Sequence, residues 1–229
     1  GLGIELEGSF HDLNIRREGQ RPFSTGASGR LKSFLTLSED FQAVKIIADI
    51  TADNLFFRSS ALRPELKENY LHISFEGGYM FQEDRMDIVS MNVQTEKLLS
   101  LSVQGSVERL SSDSPELRLR VESNDISLSA VKGRVAPLFT EALDITEVEG
   151  NGDLRLAVTG TVKSPHIKGT LYIKGSHLRR QGISLESFEM RFPDFEYSNS
   201  AIKPSSFHFS ADRLSVRNGN KEVYADKKI

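Results

Sequence analysis

The stretch GNGDLRLAVTGTVKSPHIKGTLYIKGSHL, Gly150 to Leu178, sets the rhythm from which the fold is read. Leu154, Leu156 and Val158 alternate with Arg155, Ala157 and Thr159. Beyond the join Lys163-Ser-Pro-His166, Ile167, Leu171 and Ile173 keep the same beat against Lys168, Thr170 and Tyr172. A period of two is the mark of a strand with one apolar and one wet face. The pairs Gly160-Thr161 and Gly169-Thr170 echo one another on either side of Pro165, so the stretch reads as two antiparallel strands and a tight join. Gly150-Asn151-Gly152 reads as a further tight turn leading into Leu154.

The same alternation runs from end to end. Ile4, Leu6 and Phe10 open it; Leu31 to Leu37 and Val44 to Ile50 follow. Leu71-His-Ile-Ser-Phe75 leads to a break at Gly77-Gly78, then Tyr79 to Phe81 and Ile88 to Val93. Leu99 to Val103 closes at Gly105, and Leu117 to Val121 leads to Ile126-Ser-Leu128. Ile183 to Leu185, Phe188 to Phe192, Phe207 to Phe209 and Leu214 to Val216 complete the series. Turn formers separate these runs at hairpin spacing, which predicts a mainly β chain organised as an antiparallel meander. Two segments break the rhythm. Within Ser129 to Leu143, Val131, Val135, Leu138, Phe139 and Leu143 recur at three-and-four spacing. They predict one short α-helix around 131–143, centred on Pro137 to Leu143 because Gly133 and Pro137 interrupt what precedes. Ser60 to Asn69 reads as one more helical turn beginning at Pro64.

Composition excludes several function classes. The chain has 229 residues, of which 38% are hydrophobic and 27% charged, within the range of folded proteins. Its net charge of -3 provides no field for nucleic acid, so no nucleic-acid partner is expected. With 0 cysteines it has neither disulfides nor thiolate chemistry. The five histidines, His11, His72, His166, His177 and His208, lack metal-ligand spacing, so no metal and no cofactor are expected. Glu39-Asp40 and Glu83-Asp84 read as turn residues, and no Gly-x-Ser-x-Gly elbow occurs. The expectation is a protein without catalytic residues. The opening at Gly1, directly in a strand phrase, reads as a single elongated β segment over 1–229 taken from a longer protein, divisible into 1–128 and 129–229.

Alternation alone permits two arrangements. The apolar stripes are either the interior of a closed β-sandwich, serving as a structural or interaction module (in outer-membrane assembly, as the family resemblance given below implies), or the face of an open, curled sheet. Helical segments are too few to cover such a sheet, which favours the second.

The phrase carried by Leu154, Leu156, Val158, Gly160, Thr161, Pro165, Ile167, Gly169, Thr170, Leu171 and Ile173 resembles the C-terminal part of the AsmA-like superfamily, which includes AsmA and TamB-type proteins. Leu99 to Val107 looks like the same kind of strand. The order that follows, Pro115, Leu117-x-Leu119, Ile126-Ser-Leu128 and a short amphipathic segment to Leu138, matches as well. The resemblance covers residues 98–192. It implies kinship with repeating β-groove, bridge-like lipid-transfer proteins, hence an antiparallel sheet curled into an open groove. It implies that Gly160 and Gly169 let the sheet bend and that Pro165 ends pairing at the hairpin. By the same resemblance the groove floor binds phospholipid acyl chains through Leu99, Leu101 and Val103; Leu117, Leu119 and Val121; Leu154, Leu156 and Val158; Leu171 and Ile173; and Ile183, Leu185, Phe188, Met190 and Phe192. The implied setting is the periplasm, with an anchor in the inner membrane outside this chain and membrane components at either side as partners. Open sheet edges predict edge-to-edge self-association of the segment.

Overall fold

Thirteen strands join one antiparallel sheet in the computed structural model, which describes residues 2–17, 23–59, 66–96, 100–134, 145–180, 182–198, 201–204, 206–218 and 221–227. The strands are β1 (Gly3–Arg17), β2 (Phe23–Leu37), β3 (Ala43–Ser59), β4 (Leu66–Met80), β5 (Arg85–Thr95), β6 (Ser100–Glu108) and β7 (Glu116–Ser127). One helix, α1 (Leu128–Arg134), precedes β8 (Ile145–Thr161), β9 (Ser164–Arg180), β10 (Ile183–Ser198), β11 (Ala201–Pro204), β12 (His208–Asn218) and β13 (Lys221–Lys227). Sheet order is chain order from β1 to β10, followed by β12 and β13; β11 pairs only with the far end of β10. The meander expected from the alternation is therefore what forms. β7 pairs with β8 across the 128/129 division, so one sheet spans both halves.

Among the described residues each strand packs on its sheet neighbours, and no second sheet lies against the first. The closed β-sandwich is thereby excluded. The accessible surface agrees: 15076 Å², where a compact monomer of this mass would expose about 10,400 Å². Among the described residues the buried hydrophobic ones are Ala52, Val103, Leu185, Phe188 and Ala211, and of these only Phe188 is fully buried. The sheet is curled but not closed into a barrel.

Several local expectations are corrected. Gly77-Gly78 does not end a strand, because β4 runs through both to Met80. Gly105, at φ 132°, lies inside β6. Gly150-Asn151-Gly152 is not a turn: it lies within β8, where Gly152 is opposite Ile126 and Ile173. A local turn propensity yields there to pairing on both sides, and the signal survives only as a bulge between Glu149 and Gly150. Leu66 to Asn69 is strand rather than helical turn, and residues 60–65 lie outside the described ones.

The helix starts earlier than its periodicity suggested. Ser127 ends β7 and accepts the Ala130 N–H on its Oγ at 3.3 Å, capping a helix that begins at Leu128. The expected stretch Pro137 to Leu143 lies outside the described residues. Leu128 packs on Leu185, Phe188 and Ala211, so α1 covers the best-buried part of the sheet.

Candidate functional site

Facing residues in an antiparallel pair point to the same side of a sheet, so the register alone assembles the apolar surface. One row runs Gly8, Leu31, Ile50, Ile73, Val93, Leu101, Ser123, Leu154, Leu171 and Phe192, one residue from each of β1 to β10. The next runs Leu6, Ser33, Ala48, Phe75, Met91, Val103, Val121, Leu156, Gly169 and Phe195. A third runs Ile4, Leu35, Ile46, Gly77, Ile88, Gly105, Leu119, Val158, Ile167 and Tyr197. Three parallel bands thus cross ten strands without a charged residue.

Every described member of the expected floor lies on this side. Leu117 sits beside the third band opposite Val107 and Gly160, and Ile173 pairs with Met190. Leu185 and Phe188 are three apart, yet they pack in one cluster, with Ser187 between them at φ 49° and without a pairing partner. Ile183 follows at the strand end and remains exposed. Leu99 lies outside the described residues.

The floor extends well beyond the stretch that the resemblance covers. Ile4, Leu6, Leu31, Leu35, Ile46, Ile50, Ile73 and Phe75 continue it through β1 to β4, and Phe209 and Leu214 through β12. Their alternation was visible in the sequence; only register with β5 to β10 shows that the two halves make one surface.

Small residues set the spacing of the bands. A β-carbon at Gly169 would meet the Leu156 side chain at 2.5 Å, the Arg155 carbonyl at 2.7 Å and the Phe195 ring at 2.9 Å. Glycine is therefore needed at this site for close approach. Gly160, at φ 85°, uses its conformational freedom instead, opposite Pro165 beside the Val162-Lys163 turn. Pro165 is paired within β9 rather than ending it. Ser123, fully buried in the first band, donates its hydroxyl to the Ser100 carbonyl at 2.7 Å, so the floor carries no unsatisfied hydroxyl there.

The opposite face is polar and cross-linked by ion pairs. Lys32 lies 3.2 Å from Glu5, Lys45 2.8 Å from Glu76, and Arg85 2.7 Å from Asp87. His72 contacts Asp49 at 2.8 Å, His166 lies 3.4 Å from Glu196, and His177 3.4 Å from Glu147. Arg191 holds the Glu189 carboxyl below the usual carboxylate range, helped by Tyr172. Such exposed pairs keep one side wet and add little stability individually. Among the described residues no group of three or more His, Asp or Glu is placed to hold a metal ion. No described helix is long and apolar enough to cross a membrane, which leaves membrane crossing by strands unaddressed. Comparison with family models, curated proteins and solved structures finds no match.

Proposed function

We propose that this chain is a non-enzymatic lipid-carrying segment whose apolar floor shields phospholipid acyl chains from water. The observation that carries the reading is the set of three apolar bands crossing ten strands, with α1 the only described element outside the sheet and packed toward the Leu185, Phe188 and Ala211 end. A contiguous apolar surface of that extent is costly to leave in water and calls for an occupant. An acyl chain fits because the bands are continuous, apolar and unmarked by charge, so they give shelter without fixing one headgroup. The resemblance of residues 98–192 to AsmA-like proteins supports an envelope setting, in the periplasm between inner and outer membranes, as part of a longer anchored protein.

Native mass spectrometry of the purified chain tests this, with phospholipid adducts expected. Leu156→Asp places a carboxylate in the second band and should abolish the adducts while the fold persists. Arg155→Asp, on the polar face, should retain them. A parent chain free of lipid, or a Leu156→Asp variant that keeps it, would reject the proposal.

A further inference from the structure

One long rim of the sheet is formed by the β2–β3, β4–β5, β6–β7 and β8–β9 turns together with the start of β1. Each contributes one exposed apolar side chain: Leu2 is 62% exposed, Phe41 67%, Phe81 46%, Leu110 40% and Val162 56%. Turns favour small polar residues, and single exposed apolar residues are ordinary; one at each of these described tips of a single rim is a pattern.

The tips are also held in place. Phe41 takes φ 59°, a conformation that a bulky residue adopts only under constraint. The constraint is visible: Gln42 N–H donates to both Ser38 Oγ and Asp40 Oδ1 at 3.1 Å, and Ala43 N–H to Ser38 Oγ at 2.9 Å. The backbone N–H of Phe81 donates to Gln42 O, that of Leu110 to Asp84 O, and that of Val162 to Pro115 O, at 3.0 to 3.1 Å. Each tip is thus tied to the neighbouring turn.

We infer that this rim seats the sheet on the headgroup region of a bilayer of net-neutral lipids, with Phe41 and Phe81 as its main anchors. Neighbouring tips stand two strand spacings apart, about 9.5 Å. A protein partner would have to fill the gaps between such isolated side chains to make a packed centre, whereas a fluid interface closes around each one. The charges beside the tips select the lipid. Glu39, Asp40, Glu83, Asp84 and Asp113 outnumber Arg109 and Lys163, which opposes an anionic surface and suits headgroups that present an ammonium outermost. Seating by the rim does not depend on the floor carrying lipid.

Sedimentation with phosphatidylcholine/phosphatidylethanolamine vesicles provides the test. The parent should co-sediment. Phe41→Asn removes the ring and suits the left-handed conformation, so the variant should fold at least as stably as the parent. Combined with Phe81→Ser it should weaken vesicle binding by about tenfold or more, the loss expected for two interfacial aromatic anchors. Phe34→Ser removes an equally apolar, 39% exposed ring from the polar face and should leave binding unchanged. Replacing part of the lipid with phosphatidylglycerol should weaken binding of the parent. Absence of parent binding, an unaffected double variant, stronger binding to the anionic vesicles, or a double variant altered only in self-association would overturn the inference. None of these outcomes bears on whether lipid co-purifies on the floor.

Discussion

Gly169 and Gly78 are both strand glycines, yet they differ in what a methyl group would meet. At Gly169 the added carbon strikes a carbonyl and two side chains of the floor. Gly169→Ala should cost about 1–3 kcal/mol and lower the melting temperature by roughly 3–10 °C. At Gly78 the nearest atoms are Val44 O at 3.4 Å and Met80 Cε at 3.8 Å. Gly78→Ala should therefore stabilise by about 0.4–1 kcal/mol, through the entropy lost from the unfolded chain. Calorimetry of the two variants beside the parent checks both signs. Asp84 supplies a pH test at the same scale. The Ser111 hydroxyl, then Tyr79 and the Ser111 amide, hold its carboxyl below the ordinary aspartate value of 3.8. A lowered folded value means that its contribution is present above the ordinary value and is lost as pH falls through the folded one. Hydrogen exchange at the Ser111 amide should stay slow at pH 5 relative to intrinsic rates and lose its protection only below the usual aspartate range. In Asp84→Asn that pH step should disappear.

At the scale of elements, the sequence made strand identity legible and strand extent much less so. Period two marked β1 to β10 because each strand has one wet face, and no tertiary knowledge was needed to see it. The glycines at 77, 78, 105, 150 and 152 were read as punctuation, but in a wide sheet they serve as bends and close approaches within long strands. The single short helix was legible too, and α1 overlaps the expected 131–143 at 131–134, while its start was not. The three-and-four spacing after Ser129 was real, but Ser127, rather than Pro137, provides the described start by capping Ala130. Ser127→Ala should then cost about 1 kcal/mol, and exchange at Ala130 and Val131 should accelerate before that of β7 or β8. Equal acceleration throughout the sheet would show that the cap acts on global stability and not on α1. The floor residues beyond 98–192 were missed because their membership depends on register, which alternation within one strand does not specify.

At the scale of the whole molecule, the sheet has two free edges, and β1 is the longer. Of its fifteen residues from Gly3 to Arg17, thirteen pair with β2, and among the described residues no strand pairs on the other side, where a row of backbone donors and acceptors lies open. Ile4 and Leu6 alternate along it at 49% exposure each, with Glu5 and Glu7 on the opposite face. Long edges with an apolar side recruit other strands, and protective devices such as an inward-pointing lysine are missing from the first half of β1. Pairing of two β1 edges would continue the bands of the floor from one copy into the next, burying Ile4 and Leu6 while the glutamates stay wet. Sedimentation velocity should accordingly show association that grows with protein concentration. Leu6→Lys turns a charge toward the floor beside the open edge. Because Leu6 is half exposed, the fold should tolerate the change, and association should fall. The polar-face substitution Glu5→Lys removes the Lys32 contact but leaves the apolar side intact, so its association should match that of the parent. Equal loss in both variants would assign the contact to charge on the outer face. A parent that sediments as a monomer at every concentration would mean that the β1 edge is closed to pairing.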